Sequence, residues 1–243
     1  MNRAGWNFEN SLRNESALRP LCEQVNKHFP VPSDRHYRYF ATSPDLHLTE
    51  EIGQYYRGLH VATTASCDLS RYILNRYLPA GATNYDHLIY IRDITCADPT
   101  GCVVTYAHEL QHIVQYVHPK LTKVNQTLYG VLKTFEPAAT EIDLPSEADA
   151  NIVSKRVAEE VCGIDAVRRF GEERVCFMLK TGDRDQIIRW NFFVNTPSST
   201  AYDFEKETLK LVEKFSGRVP FGMDISQPDW WKGAIDEFPP GSY

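Results

Sequence analysis

What the chain lacks narrows it first. No run of ~18 apolar residues could cross a membrane as a helix, and the opening stretch MNRAGWNFENSLRNES has no apolar segment long enough for a signal peptide, so a soluble, cytoplasmic protein is expected. There is no basic excess. With 26 Lys and Arg against 32 Asp and Glu the formal charge is −6, which gives no electrostatic reason to expect a nucleic-acid backbone as the main partner. The six cysteines, at 22, 67, 96, 102, 162 and 176, form no CxxC pair and no dense framework, and are expected to be free and mostly buried. Internal repeats, low-complexity tracts and long apolar-poor segments are also missing. A chain of 243 residues with ordinary apolar and charged content therefore reads as one compact domain spanning 1–243.

What is present begins with helical patterns around residues 16–28, 48–59 and 67–77, interrupted by the proline-bearing loop PVPSDR at 30–35. The run HLIYIRD, from His87, is β-prone. Asp98 followed by Pro99 signals a helix start, and Val103, Ala107, Leu110, Val114 and Val117 recur at the spacing of a buried stripe, so a helix is predicted over 99–117 with Pro119 ending it. A loop of roughly 25 residues is expected next. Then 144–163 reads as a second helix, with Pro145 in its first turn and Gly163 after its last. Residues 202–216 look amphipathic. The aromatic, proline-rich 228–240, with Trp230 and Trp231, is expected to pack back on the domain, the pair being alternatively a partner-binding surface. These patterns predict an α+β class: mainly helical, a small β-sheet, a metal-site core over about 85–162 and a C-terminal helical and aromatic extension over about 200–243.

The chemistry concentrates in HELQHIVQYVH, residues 108–118. His108 and His112 lie one turn apart, about 40° round the helix, so two neutral imidazoles on a rigid element can reach one ion. A catalytic zinc takes three protein ligands and keeps one position for water. Glu109, next to the first histidine, is then the expected general base, accepting a proton as water attacks a carbonyl carbon and passing it to the leaving amine.

Two residues compete for the third ligand position. His118 has the metzincin spacing, but Gln115 stands where that pattern needs a glycine to break the helix. On an unbroken helix His118 would point about 120° away from His112 and lie about 9 Å further along. The other candidate is Glu147, in the segment EADAN at 147–151. HELQH together with EADAN resembles gluzincin-type zinc metallopeptidases, most of all the ImmA/IrrE group. The resemblance covers about 85–162. It implies a zincin-like domain around a central active-site helix, with His108, His112 and Glu147 binding Zn2+, Glu109 as base, and Asn151 in an outer position that orients a ligand.

The expected activity is that of a cytoplasmic zinc endopeptidase acting on a protein or peptide substrate, the resemblance adding a regulatory, target-specific character; from the charge balance and the lack of a long apolar run, no direct contact with nucleic acid or membrane is expected. A non-catalytic partner-binding module and a zinc hydrolase of a non-peptide amide are the alternatives, the first weakened by the intact Glu109. Tyr106, Tyr129 and His87 are candidates to stabilise the oxyanion. The strand at 87–92 is a candidate to pair with an extended substrate as an edge strand. A cysteine thiolate at the fourth zinc position is a further idea, set against burial of the thiols in the core.

Overall fold

The computed structural model describes residues 5–9, 12–92, 98–116 and 119–215. Its class is mixed: nine α-helices and a four-stranded sheet among the described residues, consistent with α+β. The strands are β1 (Trp6–Phe8), β2 (His36–Phe40), β3 (Gly58–Ala62) and β4 (His87–Ile91), in the order β1-β2-β4-β3, with β3 antiparallel to β4 and the other pairs parallel. The helices are α1 (Leu12–Asn26), α2 (Leu46–Ile52), α3 (Asp68–Tyr77), α4 (Pro99–Gln115), α5 (Pro119–Phe135), α6 (Pro145–Cys162), α7 (Ile164–Thr181), α8 (Arg184–Asn195) and α9 (Phe204–Lys214), with a 3-10 turn at Glu141–Asp143 before α6. No described helix is long and apolar enough to cross a membrane.

Contacts group the chain into two compact units, the boundaries falling inside α4, α6 and α7. The first comprises 1–114 and 153–173 and holds the sheet. Alternate strand residues point to opposite faces. On one face Tyr37, Val61, Leu88 and Tyr90 pack with Leu48 of α2 and with Ile73 and Tyr77 of α3. The other face carries His36, Arg38 and Phe40 of β2, in register with His87, Ile89 and Ile91 of β4, and these in register with Ala62, His60 and Gly58 of β3. This face meets α4: the Tyr106 ring lies against Trp6 and Phe40, and its hydroxyl is 3.2 Å from Nε2 of His36. The second unit, 115–152 and 174–243, has its own core of Val124, Leu128, Val131 and Leu132 from α5, with Ala139, Leu144 and Phe215.

Several local readings hold. Asp98 accepts the Thr100 main-chain N–H at 3.0 Å, as an N-cap should. Val103, Ala107 and Leu110 are fully buried. Gly163 takes φ 88° after α6. The five described cysteines are free, but only Cys22 and Cys102 are buried; Cys67 and Cys162 are half-buried and Cys176 is exposed.

Others are corrected. The loop expected after Pro119 is largely α5: proline lacks the N–H that a first helical residue has no use for, so Pro119 opens a helix of its own. The helix predicted over 48–59 stops at Ile52, with Gly53 at φ 95° as its cap, and β3 follows from Gly58. The strand at 87–91 is not an edge. It is paired on both sides, by β2 and β3, so it cannot add a substrate strand. The tail bearing Trp230 and Trp231, and His118, lie outside the described residues.

Candidate metal centre

Helix α4 carries its polar residues into a buried setting: His108 is 6% and Glu109 5% exposed. Nε2 of His108 and Nε2 of His112 are 3.1 Å apart with the rings perpendicular, so both imidazoles aim the same nitrogen at one point. Tetrahedral zinc with bonds of about 2.0–2.1 Å would hold two such nitrogens roughly 3.3 Å apart, so the spacing fits a shared ion. Glu147 completes the group. Ligand atoms of His108, His112 and Glu147 all lie within 4.8 Å of one another, and the three could hold a metal ion. None of the described cysteines joins them.

The start of α6 is built to present Glu147. Thr140 and Asp143 form a capping box round the 3-10 turn, with Thr140 N donating to Asp143 Oδ2 at 2.7 Å. Main-chain N–H groups of Glu147 and Ala148 then donate to Leu144 O, opening the helix at Pro145. Gln115, buried at the end of α4, donates to Ser146 O at 2.9 Å and to Asp149 Oδ2 at 2.8 Å. The residue that looked only like an obstacle to the metzincin turn thus ties down the residues flanking Glu147. Asn151 donates at 2.8 Å to the Glu147 main-chain oxygen, stapling the first turn of α6 at the residue it is expected to orient.

Arg189 of α8 was not marked by any motif. Its two terminal nitrogens each lie 3.4 Å from a carboxylate oxygen, one of Glu141 and one of Glu147. Burial and then the neighbouring Glu147 push the Glu141 carboxyl up, with Arg189 opposing them. No local pattern of α8 could have signalled this contact, because it joins residues more than forty apart in the chain.

Around the histidines, β3 forms one wall. Gly58 lies so close to α4 that a Cβ there would sit 2.9 Å from Oε1 of Glu109. His60 Nε2 and His87 Nδ1 are 2.9 Å apart, and His60 is held well below the usual histidine range by burial, with His87, His112 and His36 adding to the effect. The three oxyanion candidates differ. Tyr106 is fully buried and donates to Asn26 Oδ1 at 2.7 Å, a structural role. His87 is paired with His60. Tyr129 is half-buried, its hydroxyl raised by burial and then by Glu141, Asp185 and Glu147.

No family model, curated protein or solved structure matches the chain.

Proposed function

We propose that this protein is a cytoplasmic zinc metallopeptidase of the gluzincin type, akin to the ImmA/IrrE group, cleaving peptide bonds of a specific protein substrate. The observation that carries the reading is the convergence of His108 Nε2, His112 Nε2 and a Glu147 carboxylate oxygen, with Glu109 immediately beside the first histidine. Two neutral imidazoles and one carboxylate suit a borderline cation such as Zn2+. A zinc ion held there supplies Lewis-acid polarisation of the scissile carbonyl and lowers the pKa of a water molecule.

The protein's own residues do the rest. Glu109 accepts the proton of the attacking water and returns it to the leaving amine, so the carboxylate ends the cycle as it began. Its buried setting shields that exchange from bulk water. Tyr129 is the candidate hydroxyl donor to the oxyanion among the three considered.

The substrate strand is assigned to β3 rather than β4. Main-chain bonds from Arg92 N to Arg57 O and from Thr63 N to Asp86 O turn these two residues, which flank β3, towards β4, and antiparallel alternation turns the main-chain groups of Gly58 and His60 the other way, towards the edge of the described sheet. An extended peptide added there runs past Glu109, the geometry of β-strand addition.

The deciding experiment measures zinc content and hydrolysis of a peptide library with and without a chelator, on wild type and on Glu109→Gln. Bound zinc in both and chelator-sensitive cleavage in wild type alone is expected. Hydrolysis by Glu109→Gln at the wild-type rate overturns the assignment of the base, and a metal-free wild type after zinc loading overturns the centre.

A further inference from the structure

We infer that Gly58, the first residue of β3, sets the position of the Glu109 carboxylate, the missing side chain forming the slot in which that carboxylate lies. This rests on the reading of Glu109 as general base. A Cβ at Gly58 would meet Oε1 of Glu109 at 2.9 Å, Cγ of Glu109 at 3.2 Å and Cγ2 of Thr105 at 2.6 Å. Favourable contacts between carbon atoms begin at about 3.5 Å, so even one methyl group cannot enter without moving a neighbour.

Conformation does not require the glycine. Its φ lies outside the left-handed region, unlike Gly5, Gly53, Gly81, Gly163 and Gly182. Within a strand, glycine loses more freedom on folding than any other residue and contributes no packing, so its place there marks a close approach. The approaching groups are the Thr105 methyl and the Glu109 side chain.

Strand and helix are pinned together at this point. Arg57, the preceding residue, donates from Nε to Thr105 Oγ1 at 3.3 Å, and its guanidinium lies 5.2 Å from the Phe170 ring. Beyond Gly58, β3 is held by its pairing with β4 as far as Ala62. With the backbones restrained, an added methyl presses on the two side chains it meets, the Thr105 methyl and the Glu109 carboxylate. Moving that carboxylate takes the base out of line with the water it must deprotonate, while His108, His112 and Glu147 keep their places. Gly58 is therefore a positioning residue for the base and not for the metal.

The test uses Gly58→Ala, Thr105→Ser and the double variant. Serine keeps the hydroxyl that accepts from Arg57 but removes Cγ2, so in the double variant the added methyl meets Glu109 alone. Zinc affinity is measured by competition with a chromogenic chelator, kcat and KM on a quenched fluorescent peptide chosen from the library, and folding by thermal melting. Zinc affinity and KM within about twofold of wild type are expected for Gly58→Ala, with kcat lower by 10- to 100-fold, the scale of ~1 Å misplacements. Thr105→Ser should turn over normally and the double variant as slowly as Gly58→Ala. Wild-type kcat in Gly58→Ala, or its recovery in the double variant, overturns the inference, the latter because the defect would then lie at Thr105. If Gly58→Ala does not fold, the double variant decides by the same kcat criterion. A crystal structure of the double variant reads the displacement directly, whatever the chemistry: a Glu109 carboxylate unmoved from its wild-type position overturns the inference. Failure of the parent reading shows separately, as a wild type without zinc or a Glu109→Gln variant that still turns over.

Discussion

The side-chain amide of Gln115 donates to the Asp149 carboxylate at 2.8 Å and to the Ser146 main-chain oxygen at 2.9 Å, so the last residue of α4 grips α6 on both sides of Glu147. Gln115→Ala removes two hydrogen bonds and one donor from a carboxylate only 5% exposed. Lost stability of about 1–3 kcal/mol is expected in urea titrations. Zinc affinity should fall roughly tenfold as the first turn of α6 loosens. A folded variant with wild-type zinc affinity would mean the clamp stabilises without positioning Glu147.

Arg189 holds the Glu147 carboxylate itself, electrostatically, with a terminal nitrogen 3.4 Å from one of its oxygens. By engaging one oxygen it leaves the other for a metal, so Arg189→Gln should weaken zinc binding by about 10- to 100-fold, with Arg189→Lys in between. Because the pair is partly exposed, thermal stability should change little. Tighter zinc binding in Arg189→Gln would show the opposite role, a guanidinium competing with the metal for Glu147.

The third-ligand question is answered by two single variants. Glu147→Ala should lose zinc and activity together, as should His108→Ala and His112→Ala, since two ligands make an incomplete site. His118→Ala should leave both near wild type. Zinc loss in His118→Ala with zinc retained in Glu147→Ala would reverse the assignment.

His36 predicts a pH dependence of folding. Burial first, then Arg38, lowers it to about 3; the ring is fully buried, 3.0 Å from Pro32 O through Nδ1 and 3.0 Å from Arg38 through Nε2. A histidine whose folded value lies below its unfolded value of ~6.5 takes up its proton first in the unfolded chain. Its contribution is intact above about pH 6.5 and is lost as pH falls from there towards 3, at up to about 1.4 kcal/mol per pH unit. Urea titrations at pH 7, 6 and 5 should show the decline, and His36→Gln should flatten it by one proton. An equal slope in both proteins would place the acid sensitivity elsewhere.

Helices α3, α4, α6 and α9 and strand β4 were legible in the sequence because their signals are local. Asp98 and Pro99 start α4, Pro145 and Gly163 bracket α6, and apolar residues recur at helical spacing between them. The HELQH pair is legible for the same reason: residues four apart on one helix must face the same way. Strand β1 escaped because it is three residues long, β3 because Gly58 and His60 interrupt its apolar pattern, and β2 because it buries His36 and Arg38, residue types that read as solvent-facing until their partners are known. Pro119 is ambiguous by nature, since proline both ends one helix and begins another.

Long-range pairing decided the rest. That β4 is interior and β3 lies at the edge depends on which strands meet, and no strand's own residues state it. The same holds for Glu147 arriving beside two histidines some forty residues earlier, for Arg189 reaching it from α8, and for Gln115 turning from a missing glycine into a clamp. Gly58 shows the division most plainly. Its identity is written in the chain, but a methyl group there would meet the Thr105 methyl and a carboxylate fifty-one positions away, at 2.6 and 2.9 Å from the Cβ position, brought there only by the packing of α4 on the sheet.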